Sequence, residues 1–151
     1  MRVGVISDTH GLLRPEAVRA LRGSDLIVHA GDIGGPDILD SLRALAPVHV
    51  VRGNNDRDGW ARQLPDTDVF TAGGVRLLVV HDLATLVRDP AGEGLRAVIA
   101  GHSHQPRNEK RAGILYFNPG SAGPRRFSLP VTVGRLDIED GKIVARIIPL
   151  L

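Results

Sequence analysis

The sequence predicts an α/β fold in which a mixed-sheet β-sandwich is flanked by helices. Strand-length apolar segments alternate with helical segments in the first third of the chain, which favours parallel strands joined by right-handed crossovers. From residue 69 onward, apolar segments flank Gly-containing turns, which indicates antiparallel hairpins. The 151 residues contain no long linker, internal repeat or low-complexity tract, so we expect one domain over residues 1–151.

The first half of the chain has the pattern βαβαβ. Its predicted elements are strand Val3–Ser7, helix Pro15–Leu21, strand Leu26–His29, helix Pro36–Leu45 and strand Val48–Val51. Both helices begin at a proline, which suits the first helical position because its ring fixes φ and its missing N–H has no intrahelical role there. This alternation predicts a parallel sheet.

The second half is dominated by strands. We expect hairpins at Val69–Ala72 with Val75–His81 and at Val131–Ile138 with Ile143–Ile148, a buried strand at Leu95–Ala100 and a strand at Ile114–Phe117. The basic segment 107–111 precedes the turn at Ala112 and Gly113 and is typical of an exposed hairpin arm. Sheet structure therefore continues to the end of the sequence, now partly antiparallel.

Composition excludes several classes of function. The absence of cysteine excludes a disulfide framework, a thiolate zinc site, an iron–sulfur cluster and a cysteine nucleophile. The 19 basic and 17 acidic residues nearly balance, and aromatic residues make up only 3%, so a nucleic-acid partner is not expected. No apolar stretch reaches the roughly 18 residues of a membrane helix, and no signal peptide is visible. We expect a soluble, cytoplasmic protein.

Metal-capable side chains directly follow five of the predicted strands. They are Asp8 and His10, Asp32, Asn54, His81, and His102 with His104. Because ligands of open α/β sheets collect at the carboxyl ends of strands, we expect these side chains to converge at one edge. Taken singly, Asp8 and Asp32 are compatible with ordinary helix N-caps or turns, but the ordered set favours a common site.

The donor types indicate a pair of transition-metal ions. Seven side chains exceed what one tetrahedral ion can use and suit two ions that share a carboxylate. Carboxylate, amide and imidazole donors without sulfur favour manganese, iron, zinc, nickel or cobalt over calcium or copper(I). The donor types do not choose among these five ions. The expected cofactor is manganese, with the other four as alternatives.

The ordered blocks D-x-H, G-D, G-N-x-D, a lone His and G-H-x-H resemble those of the calcineurin-like metallophosphoesterases. All five occur here, and the resemblance spans essentially the whole chain. The short length, the segment 118–121 after G-H-S-H and the closing hairpin are similar to the small branch that includes YfcE-type phosphodiesterases and the retromer scaffold subunit. The resemblance implies the calcineurin-like metallophosphoesterase fold.

The resemblance also implies a ligand set and a mechanism. Asp8, His10 and His104 would hold one metal ion, Asn54, His81 and His102 would hold the second, and Asp32 would bridge them. A hydroxide shared by the ions would attack the phosphorus of a small phosphodiester. The alternative is a non-catalytic, metal-binding scaffold of the retromer-subunit type, which would retain the ligands without turnover.

Two departures from the family pattern bear on the substrate. Many relatives carry His after the Asn of G-N, where it can protonate the leaving oxygen, but this chain has Asn55. We therefore predict better activity on diesters with acidic leaving groups than on alkyl monophosphates. After His81, the pattern H-G-H is replaced by Asp82 and Leu83, whose roles the sequence leaves open.

Other polar residues have weaker assignments. Asp56 is compatible with a ligand-orienting residue or a turn, and Asn118 with fixing the loop beside G-H-S-H. Arg126, next to Arg125, is a candidate phosphate clamp because the planar guanidinium matches phosphate oxygens, and Asn55 is a candidate substrate contact. His29 and His49 lie in apolar strands, so we predict hydrogen-bonded core histidines. Self-association through the exposed face of the terminal hairpin is possible, which would make a homo-oligomer.

Overall fold

The computed structural model describes all 151 residues. Its elements are β1 (Arg2–Ile6), α1 (Pro15–Leu21), β2 (Leu26–His29), α2 (Pro36–Arg43), β3 (Val48–Val50), β4 (Thr67–Ala72), β5 (Val75–Val80), β6 (Leu95–Ile99), β7 (Arg107–Arg111), β8 (Ile114–Asn118), β9 (Thr132–Glu139) and β10 (Lys142–Pro149). Single 3₁₀ turns lie at Gly59–Ala61 and Leu83–Thr85. The predicted α/β fold with mixed sheets is confirmed.

The predicted elements are all present, with ends that differ by two residues or fewer. The largest difference at a helix end is in α2, which stops at Arg43 instead of Leu45. The backbone N–H groups of Ala44 and Ala46 donate to the carbonyls of Asp40 and Leu42, which completes the last turn. Pro47 follows, and a residue before proline is pushed away from helical geometry.

The strands form two five-stranded mixed sheets. The first sheet has the order β10-β9-β1-β2-β3, in which β1, β2 and β3 are parallel. The second sheet has the order β4-β5-β6-β8-β7, in which β5, β6 and β8 are parallel. The terminal hairpin β9–β10 adds to the first sheet antiparallel to β1, and the hairpin β7–β8 closes one edge of the second.

Side chains along β1 alternate between two apolar clusters because successive side chains point to opposite faces of a sheet. Val3 and Val5 belong to a cluster of 17 buried apolar residues contributed by both sheets. Ile6 belongs to a second cluster of 12, which α1 and α2 cover on the other face. At Gly4 a Cβ would lie 2.7 Å from Leu21 Cδ2, so glycine allows α1 to pack directly on the strand.

A third apolar cluster covers the outer face of the second sheet. Its six buried members include Val98 of β6 and Ile114 of β8, and Leu83 and Tyr116 pack against it partly exposed. No helix of the protein reaches the length and hydrophobicity needed to cross a membrane.

Candidate metal centre

The seven predicted ligand residues lie on loops that follow the carboxyl ends of parallel strands. Asp8 and His10 follow β1, Asp32 follows β2, Asn54 follows β3, His81 follows β5, and His102 and His104 follow β6. Inter-residue distances of 2.9–3.8 Å connect all seven side chains into one cluster. The structure therefore brings the whole predicted set together where the two sheets meet.

The first part of the cluster contains Asp8, His10 and His104. Asp8 Oδ1 lies 3.4 Å from His104 Nε2 and 3.8 Å from His10 Nε2, and the two imidazole nitrogens are 3.4 Å apart. Asp8 Oδ1 is buried and has no hydrogen-bond partner, although the other carboxylate oxygen accepts hydrogen bonds from Ser7 Oγ and the His102 N–H. A buried carboxylate oxygen without a partner facing two imidazole nitrogens fits a divalent cation.

Asp32 lies between this group and the remaining ligands. Its Oδ2 atom is 3.7 Å from His10 Nε2 and 3.3 Å from His81 Nε2. His81 Nδ1 lies 2.7 Å from the Ala30 carbonyl oxygen, so the Nδ1–H donates there and Nε2 faces the cluster. One carboxylate oxygen therefore faces histidines from both sides, as a bridging ligand does.

The second part of the cluster contains Asn54, His81 and His102. Asn54 Oδ1 lies 2.9 Å from His81 Nε2 and 3.2 Å from His102 Nδ1. Asn54 and His102 are exposed, whereas His81 is buried. This side of the centre is therefore open to solvent and to a substrate.

The backbone is strained at the ligand residues. Five of them have φ in the left-handed region: Asp8 at 56°, His10 at 45°, Asp32 at 56°, His102 at 70° and His104 at 61°. Such conformations are uncommon outside glycine and cluster where the fold has to aim a side chain at a functional site. Left-handed residues turn the chain sharply after each strand and return the side chains to the common cluster.

The electrostatic environment shifts His10 and Asp8 toward their metal-binding protonation states. Burial lowers the pKa of the His10 imidazole, and the positive charge of Arg126 lowers it further. The carboxylates of Asp32 and Asp8 raise the same pKa without cancelling these effects. Burial alone would raise the pKa of Asp8, but its contacts with His104, Ser7 and His81 hold it below the usual value. An unprotonated imidazole beside an ionised carboxylate is what a metal ion needs.

The shared carboxylate and its histidine are coupled. Burial would raise the pKa of Asp32, but contacts with His81 and the Asn55 N–H lower it to about 2. Burial would lower the pKa of His81, yet Asp32, the Ala30 carbonyl and Asp8 together raise it. The carboxylate and the imidazole thus each favour the charged form of the other.

His29 connects the loops that carry Asp8 and Asp32. It is fully buried, its Nδ1 accepts a hydrogen bond from the Gly31 N–H at 3.1 Å, and its Nε2 lies 3.0 Å from Thr9 Oγ1. Thr9 in turn donates to the Ile33 carbonyl at 2.7 Å. Burial lowers the pKa of His29 to about 4, so it is neutral and donates from Nε2. It is a hydrogen-bonded core histidine, as predicted.

Asp56 connects the loops that carry Asp32 and Asn54. Its buried carboxylate accepts hydrogen bonds from the backbone N–H groups of Ile33, Gly34 and Gly53 at 2.9–3.2 Å. Of the two interpretations open from the sequence, the contacts favour a residue that orients ligand loops.

The remaining candidates surround the centre. Asn55 donates from its backbone N–H and its side-chain amide to the two oxygens of Asp32, at 2.9 and 3.1 Å. Asn118 is buried and donates to the Gly101 carbonyl and to Ser103 Oγ, which ties down the G-H-S-H loop. Arg126 is exposed on the His10 side.

Asp82 and Leu83 lie on the opposite side, at the 3₁₀ turn after β5. Asp82 accepts a hydrogen bond from the Ala84 N–H, and its Oδ2 lies 3.7 Å from His102 Nε2. Leu83 packs partly exposed against the apolar cluster outside the second sheet. Asp82 is therefore a turn-capping residue at the rim of the centre.

The prediction for His49 is wrong in part. Its imidazole is 36% exposed, so it is not a core residue, although Nδ1 lies 2.7 Å from Asp68 Oδ2 and the ring stacks on Phe70. The physical reason is the position of β3 at the edge of the first sheet, which leaves one side of the strand uncovered.

Sequence reasoning did not identify Ser7, Thr9 or the glycines beside the ligands as parts of the site. Ser7 Oγ donates to Asp8 Oδ2 at 2.6 Å. A Cβ at Gly101 would lie 2.0 Å from Ser7 Oγ, and a Cβ at Gly53 would lie 2.1 Å from Asp32 Oδ1. The signal was available, because a glycine immediately precedes Asp32, Asn54 and His102 in the sequence.

Comparison with known proteins places this centre in a family. The sequence model of the calcineurin-like phosphoesterase superfamily domain matches residues 1–141. A probable metallophosphoesterase of Methanothermobacter thermautotrophicus is 39% identical over 98% of this chain and 92% of its own.

Solved structures share the fold. An archaeal phosphodiesterase has a TM-score of 0.80 at 22% identity, with 98% of this chain and 100% of the other covered. The zinc complex of wild-type Vps29 from Entamoeba histolytica has a TM-score of 0.74 at 23% identity, with both chains covered in full. Because the family model and the archaeal relative extend over nearly the whole sequence, the chain belongs to the calcineurin-like phosphoesterase superfamily.

Proposed function

We propose that this protein is a metal-dependent phosphodiesterase that holds two divalent transition-metal ions at the cluster and hydrolyses a small phosphodiester. The observation that supports this most directly is the position of Asp32, whose Oδ2 lies within 3.7 Å of His10 Nε2 and 3.3 Å of His81 Nε2. Asp8, His10 and His104 would hold one ion, and Asn54, His81 and His102 the other, with Asp32 shared. Manganese is the expected ion, with iron, nickel, zinc and cobalt as alternatives.

The donor set fits such ions. The partnerless Asp8 Oδ1 and the mixture of imidazole, carboxylate and amide donors are typical of a binuclear hydrolase. When bound, two divalent ions would lower the pKa of a water molecule and polarise the phosphoryl oxygens.

The chain's own residues would position the substrate. Arg126, exposed on the His10 side, would pair its guanidinium with a phosphate oxygen. Asn55, held on Asp32, offers an amide donor to the phosphate but no titratable proton for the leaving oxygen. A leaving group that departs as a stable anion is therefore favoured, and the products are an alcohol or phenol and a phosphomonoester.

Hydrolysis of bis(4-nitrophenyl) phosphate tests this function. Protein stripped with a chelator would be assayed alone and after addition of manganese, nickel, zinc or magnesium. We expect turnover only with added transition metal, and at least a hundredfold loss in Asp32→Asn and in His102→Ala. Asp58→Asn is the matched control, because Asp58 is an exposed carboxylate on a neighbouring loop.

Three outcomes distinguish the alternatives. Turnover in the presence of chelator contradicts metal dependence. Binding of two ions without hydrolysis of any diester favours the non-catalytic scaffold. Hydrolysis of DNA or RNA in preference to small diesters, with a steep decrease at high salt, indicates a nuclease.

A further inference from the structure

A groove of about 440 Å³ begins at the metal centre and runs over the outer face of the second sheet. Its inner end is formed by Gly101, His102 and Ser103 of the G-H-S-H loop, and its outer end reaches the hairpin β7–β8. The volume is within the range of pockets that hold small organic groups. A substituent of a phosphate bound at the centre would therefore have a continuous path into the groove.

The groove has an apolar wall of neighbouring side chains. Val98 of β6 is paired in register with Tyr116 of β8, so both lie on the outer face of the sheet. Leu83 of the 3₁₀ turn lines the groove as well. The guanidinium carbons of Arg107 and Arg111 lie 5.5 and 4.7 Å from the centre of the Tyr116 ring, which restrains the ring.

The charges around the groove balance. Arg107 donates to Glu109 Oε2 at 2.8 Å, so its positive charge is already paired. Asp82 contributes one negative charge to the lining, and Arg111, over the Tyr116 ring, contributes one positive charge. A neutral group is the best match for an apolar wall with a balanced rim.

A second recess lies on the other side of His81. It has a volume of about 720 Å³, and its lining includes a single apolar residue. Three arginines and three aspartates line it: Arg52, Arg57, Arg62, Asp56, Asp66 and Asp82. The recess therefore offers little apolar surface, and the groove is the better match for an apolar substituent.

We infer that the groove binds one ester group of the substrate, and that this group is a neutral aromatic or heteroaromatic ring packed on Tyr116. The inference rests on the proposed function, since it assigns the class of phosphodiester that the same centre would take.

Binding of simple phosphates tests the groove without requiring turnover. Phenyl phosphate, methyl phosphate and inorganic phosphate would be titrated calorimetrically into the manganese-loaded protein. We expect phenyl phosphate to bind about tenfold more tightly than methyl phosphate, because packing a single aromatic ring contributes about this much affinity. In Tyr116→Ala the ratio should fall to about twofold, and in Tyr116→Phe, which retains the ring, it should be preserved.

Leu83→Glu provides a second variant that leaves the sheet intact, because Leu83 is on a partly exposed turn. A negative charge beside the ring site should reduce the same ratio about fivefold. Equal affinities for the two esters in the unmodified protein, or a ratio that neither Tyr116→Ala nor Leu83→Glu reduces, would overturn the inference. If phenyl phosphate binds more tightly than methyl phosphate in a Tyr116-dependent way but no diester is hydrolysed, the inference about the groove stands and only the proposed function is contradicted.

Discussion

Asp56 Oδ2 accepts a hydrogen bond from the backbone N–H of Gly53 at 2.9 Å, and the same carboxylate binds the N–H groups of Ile33 and Gly34. Gly53 directly precedes Asn54, and Ile33 directly follows Asp32. A single buried side chain thus fixes the loop that carries Asp32 relative to the loop that carries Asn54.

Replacing Asp56 by Asn should weaken both the fold and the metal centre. The amide offers one acceptor oxygen and turns an N–H₂ group toward backbone donors, so we expect a loss of about 2 kcal/mol in the free energy of unfolding. The affinity for manganese should fall about tenfold or more, as for other residues that orient ligands. Urea unfolding and calorimetric metal titration measure the two effects. Asp58→Asn should change neither, and equal behaviour of the two variants would refute the role of Asp56.

Gly53→Ala should displace Asp32. A Cβ at this position would lie 2.1 Å from Asp32 Oδ1 and 2.2 Å from the Asp32 backbone nitrogen, so the loops must separate. We expect a loss of about 3 kcal/mol in stability from overpacking, together with loss of metal binding. Gly59→Ala is the control because nothing lies within 4 Å of its Cβ position, and its stability should remain within about 1 kcal/mol. Full manganese affinity in Gly53→Ala would show that the contact is not needed.

The metal-free protein should lose stability between pH 7 and pH 5 because of His29. Burial lowers the pKa of this imidazole from 6.5 to about 4 in the folded state. Between these two pH values, the imidazole is protonated in the unfolded chain but not in the folded chain. Stability is complete above pH 6.5 and declines as the pH falls toward 4, by about 2 kcal/mol at pH 5. Asp8 and Asp32, whose folded pKa values lie below 3.8, contribute mainly at more acidic pH.

Urea unfolding in the presence of chelator, at pH 7 and pH 5, measures this decline. His29→Gln removes the titrating group, so the decline between the two pH values should be about 2 kcal/mol smaller than in the unmodified protein. An identical decline in His29→Gln and the unmodified protein would mean that His29 does not titrate as described.

Activity should depend steeply on the acidity of the leaving group, because Asn55 cannot donate a titratable proton. Among aryl diesters, we expect kcat/KM to decrease by an order of magnitude or more for each few units of leaving-group pKa. Asn55→His should flatten this dependence, whereas Asn55→Ala should lower all rates together because the amide's contacts with Asp32 and with the phosphate are lost. A higher rate on 4-nitrophenyl phosphate than on the matched diester would contradict the prediction.

The strands and the convergence of the candidate ligand residues could be predicted because both follow from local patterns. Val3–Ser7 and Leu26–His29 are short apolar segments that end in polar side chains, and Asp8 and Asp32 come directly after them. Parallel pairing of β1 with β2 then places these ends together. A resemblance in five ordered blocks supplied the family, which the comparisons confirm.

Contacts between residues far apart in the chain could not be predicted from the sequence. Asp56 was open to two interpretations because its hydrogen bonds cross more than 20 residues to Ile33 and Gly34. The partial exposure of His49 depends on β3 being an edge strand, which no local pattern encodes. The groove likewise requires the register of Val98 with Tyr116, two residues 18 positions apart in sequence.

The number of manganese ions bound per chain, measured on the same samples as turnover of bis(4-nitrophenyl) phosphate, tests the central claim most directly. Metal-free protein would be titrated with manganese, and both quantities would be followed at each addition. If Asp32 bridges two ions, turnover should rise with the second equivalent, and Asp32→Asn should bind fewer than two ions and remain inactive. Full turnover at one equivalent, or two ions bound in Asp32→Asn with normal turnover, would contradict a binuclear centre built around Asp32.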